Sequence, residues 1–123
     1  MTEQEMIALI ERHMDLETKG DVPGVMSTLT PDVTWGTPET SFHAGADAVA
    51  SHYTASITPP GRFTVKNFRG WADEAHQTGV GYWDVTRPEG NESYPIVAIF
   101  EFKNGLIASE RLFHDGSAAG CGR

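Results

Sequence analysis

Apolar residues recur along the first half of the chain at helical spacing, and along the second half they alternate. Thr2-Glu3-Gln4-Glu5 has the form of a capping box, a hydroxyl and a carboxylate that satisfy the free amides of a helix start. Met6, Leu9, Ile10, His13 and Met14 then form one helical stripe, and Gly20 supplies a stop. Asp21 is placed to cap a short second helix that buries Val22, Val25, Met26 and Leu29. "VTWGTP" (33–38) reads as a strand ended by Gly and Pro. A third helix follows Gly45, with Ala46, Val49, Ala50, Tyr53 and Ile57 on one face, until "TPPG" (58–61) breaks it.

From Arg62 onward the period changes to two. Strand-like runs cover about 62–74, 76–87, 92–103 and 106–115, with "RPEGN" and "KNG" as hairpin turns. Helices first and a meander second predict an α+β domain over residues 1–115, with helices covering one face of a curved antiparallel sheet. Residues 116–123, "GSAAGCGR", hold too little apolar surface to pack and are expected to be a flexible tail. In the last strand Ser109, Arg111, Phe113 and Asp115 share one face; Ala108, Glu110, Leu112 and His114 share the other. Arg111 and Asp115 are four residues apart, roughly 13 Å along a strand, so each needs its own partner. Trp83 and Val85 favour an inward face that leaves Asp84 outside, but a hairpin shifted by one residue reverses this.

With 123 residues, 39% of them hydrophobic, the chain can bury a core without cross-links. The single cysteine, Cys121, allows no disulfide framework, which fits a cytoplasmic location. No apolar run approaches membrane length. A net charge of -8 with scattered basic residues argues against nucleic acid as a partner. His-x-x-His and Cys-x-x-Cys spacings are absent, as is a phosphate-binding glycine pattern, so neither a metal nor another cofactor is expected.

Three stretches carry a resemblance. "KGDVPGVMSTLTPDVTW", "FHAGADAVASHY" and above all "FEFKNGLIASERLFHD" resemble, in this order, the NTF2-like superfamily. Within it they are similar to the ketosteroid isomerase and SnoaL-like polyketide cyclase families. The resemblance runs over about residues 4–115. It implies an NTF2-like (cystatin-like) cone, three N-terminal helices packed on a strongly curved sheet, with an apolar pocket open at one end. It also implies that Ser109, Arg111, Phe113 and Asp115 point into the cone, with Asp115 as catalytic acid/base and Arg111 as an electrostatic stabiliser. Tyr53 falls at the family's position for a tyrosine bonded to the oxyanion group, which would pair it with His13. Trp35, Trp83, Phe100 and Phe113 would wall the pocket, with Thr37 and Ala98 among its lining.

The isomerase's own machinery is missing. Its base falls at Thr37, its oxyanion tyrosine at His13 and its protonated aspartate at about Ala98. The resemblance therefore implies the fold and a different reaction: cofactor-free acid–base cyclisation, isomerisation or dehydration of a small lipophilic, ring-bearing or polyketide-like substrate. Two rival readings stand beside it, a non-catalytic binder of a lipophilic ligand and an epoxide-hydrolase-like enzyme. The latter needs Asp115, Arg111 and an inward Asp84. His13 is either a core histidine satisfied by a neighbour or a group that reaches the pocket. His52 faces the pocket mouth or solvent, and solvated positions are expected for His43 and His114. Val97 and Ile99, opposite Ala98 and Phe100, leave an apolar convex face that suggests a homodimer.

Overall fold

The capping box forms at the start of the first helix, α1 (Glu3–Thr18). Thr2 Oγ1 accepts from the Glu5 amide at 3.1 Å, and the Glu5 carboxylate accepts from the Thr2 amide at 2.8 Å. The computed structural model describes residues 1–38, 42–88 and 93–114. The buried stripe of α1 is Met6, Ile10, His13, Met14 and Glu17, so it runs one turn further than its apolar members indicate; Leu9 is only half-buried. Gly20, at φ +68°, turns the chain, and its α-hydrogen side lies against the Pro60 backbone, leaving no room for a side chain. Asp21 caps α2 (Val22–Met26) by accepting from the Gly24 amide at 2.9 Å. Strand β1 covers Leu29–Gly36, starting earlier than the sequence pattern indicates, and a short strand without a sequence signal, β2, covers Phe42–Ala44. Helix α3 (Ala46–Ile57) begins after Gly45 and buries Val49, Tyr53 and Ile57.

Four longer strands follow among the described residues: β3 (Thr64–Asp73), β4 (Thr78–Thr86), β5 (Ser93–Lys103) and β6 (Leu106–Phe113). They join β1 and β2 in one six-stranded sheet of order β2-β1-β6-β5-β4-β3. All neighbours are antiparallel except β1 and β6, which are parallel. The all-antiparallel expectation is corrected at this pair, because the meander returns the last strand beside the first in the same direction. A register shift between Lys66 and Arg69, with Asn67 at φ +57°, bends β3. The helices cover one sheet face, where Trp83, Val85, Ile96, Ala98, Phe100, Ile107 and Leu112 are all buried. The "KNG" turn has Asn104 and Gly105 both at positive φ, as a tight hairpin requires. The "RPEGN" turn falls largely outside the described residues, as do Asp115 and the 116–123 segment.

The closing hairpin corrects the expected face of β6. Around a regular two-residue turn at Asn104-Gly105, Phe100 would oppose Ser109, and Ala98 would oppose Arg111. Instead, Phe102 pairs with Ile107 and Glu101 with Ser109, which leaves Ala108 as an extra residue. Beyond this bulge Phe100 opposes Glu110, and Ala98 opposes Leu112. Directly opposed residues share a face, so Glu110 and Leu112 turn inward. Arg111 and Phe113 are exposed on the outer face, contrary to the pocket positions that the resemblance implies.

Candidate active site: a buried His–Tyr–Glu cluster

Four elements converge on one imidazole. α1 presents His13 and, one turn later, Glu17. α3 presents Tyr53, β6 presents Glu110, and the segment between α2 and β1 presents Thr28. All five residues are buried, His13 completely.

The proton positions follow from the donors available. Thr28 Oγ1 donates its single hydrogen to the Val25 carbonyl at 2.6 Å. It can therefore only accept at its 2.8 Å contact with His13 Nδ1, which must carry the hydrogen. The other ring nitrogen, Nε2, is thereby turned toward three oxygens. Glu110 Oε1 lies at 3.0 Å, the Tyr53 hydroxyl at 3.1 Å and Glu17 Oε2 at 3.5 Å. The Tyr53 hydroxyl donates to Glu110 Oε1 at 2.9 Å. Phenol, imidazole and carboxylate thus form a closed triangle, with a second carboxylate at its edge.

Burial disfavours the charged form of Glu17 and Tyr53. It pushes the Glu17 carboxyl well above the usual range, and the nearby Glu110 charge adds to this. The Tyr53 phenol is raised as well, by burial first, then by Glu110 and Glu17. Glu17 Oε2 and Trp83 Nε1 are buried without a hydrogen-bond partner among the described residues.

Phe100 sets its ring edge-on to His13, with centroids 6.1 Å apart. Trp35, Trp83 and Ala98 are buried in the same core. Trp35 packs on His52 with ring centroids 3.7 Å apart, and His43 stacks on the same His52 ring at 4.8 Å. His43 belongs to β2 and is partly buried, where a solvated loop position was expected; His114 is partly buried too. Burial, then the neighbouring His43, lowers the pKa of His52 to about 4, so its ring is neutral at pH 7. Thr37 follows β1 at a partly buried position.

Asp84 faces outward between the inward Trp83 and Val85, and accepts from Asn67 Nδ2 at 3.0 Å. Asp84 and Arg111 therefore both stand on the outer sheet face. These are the two described members of the acid–arginine–acid set that epoxide opening would need.

Sequence reasoning, through the resemblance, brings His13 and Tyr53 together, and the structure places Nε2 3.1 Å from the Tyr53 hydroxyl. It passes over Glu17 and Glu110. Glu17 sits four residues after His13 on the same stripe, a signal that spacing alone carries. Glu110 is hidden by the bulge at Ala108.

The wider comparisons agree with this architecture. A candidate polyketide cyclase from Xanthomonas campestris superposes with a TM-score of 0.78 at 15% identity, covering 92% of this chain and 92% of its own. A candidate ketosteroid isomerase from Kribbella flavida gives 0.77 at 18% identity, over 91% of this chain and 78% of its own. An epoxide hydrolase of the LEH-like type from M. tuberculosis gives 0.75 at 18% identity, over 92% and 84%. At such identities the likeness is one of fold. A search of curated proteins found no match. The model of the SnoaL-like domain family, however, matches residues 10–110. The chain belongs to the SnoaL-like domain family of the NTF2-like superfamily.

Proposed function

We propose that the protein is a small enzyme that moves protons on an apolar, ring-bearing or polyketide-like substrate, by cyclisation, isomerisation or dehydration through an enol or enolate. The observation that carries this reading is the triangle of Tyr53 hydroxyl, His13 Nε2 and Glu110 Oε1, with sides of 2.9, 3.0 and 3.1 Å, inside an apolar core. Proton transfer needs a donor and an acceptor at hydrogen-bond distance from one reacting atom, and a dry surround that strengthens both. Glu110 is the base in this reading. Tyr53 donates to the oxygen on which negative charge develops, and His13, held through Nδ1 by Thr28, orients the phenol and the carboxylate. Trp35, Trp83 and Phe100 exclude water, and Trp83 Nε1, without a partner among the described residues, is a further donor for a bound oxygen. The resemblance gives Asp115 the acid/base role, so Asp115→Asn belongs in the same test.

The test is a screen of lipophilic ketones and phenols, first for binding and then for turnover, in the wild type and in Glu110→Gln, Tyr53→Phe and Asp115→Asn. Loss of turnover by roughly 10²–10⁴ in Glu110→Gln, with the fold retained, supports the assignment. Binding without turnover of any compound favours a lipophilic-ligand carrier instead. The same reading has the enzyme working in the cytoplasm as a homodimer, paired through the outer sheet face. Trp71 on that face is 54% exposed, and Val97 and Ile99 are only partly covered by their own chain.

A further inference from the structure

We propose that His13, Glu17 and Glu110 form a binding site for one divalent first-row transition-metal ion. The donor atoms, Nε2 and one oxygen of each carboxylate, all lie within 4.8 Å of one another. An ion holding four ligands tetrahedrally at ~2.0–2.1 Å keeps them about 3.3 Å apart. The observed separations from Nε2, 3.0 Å to Glu110 and 3.5 Å to Glu17, bracket that value.

Three further observations point to a cation. Thr28 takes the Nδ1 hydrogen of His13, which leaves the Nε2 lone pair facing the two carboxylates. This is the outer support that a ligating imidazole ordinarily has. Glu17 Oε2 is buried, aimed into the cluster, and has no hydrogen-bond partner among the described residues. A buried carboxylate oxygen without a donor is costly unless a proton or a cation meets it. Finally, the charge of one divalent ion matches that of two ligating carboxylates, which give up their protons on binding. His13 and Glu17, four apart on α1, share a helix face as paired ligands must. The mixed nitrogen and oxygen set suits zinc, iron, manganese or cobalt better than calcium. The Tyr53 hydroxyl, 3.1 Å from Nε2, borders the position left for a fourth ligand.

Metal binding stands apart from the reaction proposed above and does not rest on that reading; with an ion bound, Glu110 would be a ligand in place of the base. The experiment uses the full chain, treated with a chelator, dialysed and titrated with Co²⁺. One equivalent should bind with a visible ligand-field absorption and a raised melting temperature, and Zn²⁺ should displace it. Glu17→Gln should weaken cobalt binding at least tenfold, and Thr28→Val, which touches no donor oxygen, by about 10–100-fold. Far-UV circular dichroism checks that both variants are folded. Wild type with neither absorption nor a melting shift at tenfold excess Co²⁺ overturns the site. Unchanged binding in folded Glu17→Gln does so too. Turnover by a protein that binds no cobalt overturns the metal site and leaves the acid–base reading intact; cobalt binding without turnover does the reverse.

Discussion

His13 and Glu17 stand one helical turn apart on α1, with Nε2 and Oε2 separated by 3.5 Å in a place water does not reach. A helix that only filled a core would carry leucine or methionine at both positions. Two polar groups there, met by Tyr53 and Glu110 from other elements, spend stability that apolar side chains would have supplied. Such expense in one spot is characteristic of a functional site.

Tyr53→Phe removes one hydroxyl and nothing else. It leaves buried Glu110 without its phenol donor, so stability should fall by about 1–3 kcal/mol. Turnover should fall as well, because the proposed function has the same hydroxyl donate to the reacting oxygen. Chemical denaturation and a rate measurement on one sample check both; an unchanged rate would restrict Tyr53 to a structural role.

The His52 ring contributes to stability in a pH-dependent way. Its pKa is lowered from an ordinary 6.5 to about 4 in the fold. The unfolded chain therefore takes up its proton first as pH falls. Stability from this group is fully present above pH 6.5 and is lost as pH drops through about 4. His52→Phe, which keeps an aromatic ring against Trp35, should flatten the melting-temperature profile across that window. A profile identical to wild type would contradict the assignment.

Gly20 and Gly105 both sit at positive φ, but in different surroundings. A Cβ at Gly20 would lie 3.0 Å from Pro60 Cα and 3.1 Å from the Ile57 carbonyl, whereas one at Gly105 would meet nothing within 4 Å. Gly105→Ala should thus cost about 1 kcal/mol from backbone strain alone, and Gly20→Ala clearly more. Equal losses in urea denaturation would contradict this.

The homodimer proposal concerns the outer sheet face. Sedimentation at micromolar concentration should give a dimer, and Trp71→Glu should shift it toward monomer. A wild-type monomer would remove the proposal.

Much of this molecule could be read from its sequence. The capping box, the three helices and the four long strands rest on local periodicity and turn chemistry, which act over a few residues and leave plain marks. Periodicity put His13 and Tyr53 each on its helix's buried stripe, and the family resemblance was what paired them. Glu17 carried the same mark, but a charged residue at the end of an apolar stripe is ordinarily read as the helix surfacing. Glu110 carried none. Its direction depends on one extra residue at Ala108, and strand parity inverts with every such insertion. That single bulge moved Arg111 and Phe113 outside and brought a carboxylate in. The parallel pairing of β1 with β6 is likewise a long-range choice with no local signature.

The account rests on the triangle of His13, Tyr53 and Glu110 as a proton-transfer site, and exchange of substrate protons tests it most directly. A panel of cyclic ketones would be incubated in D₂O with wild type and with Glu110→Gln, and loss of the α-proton signal followed by NMR. The account predicts wild-type exchange well above buffer for at least one ketone, and a loss of roughly 10²–10⁴ in the folded variant. Exchange no faster than buffer throughout the panel, or an equal rate in Glu110→Gln, would contradict it.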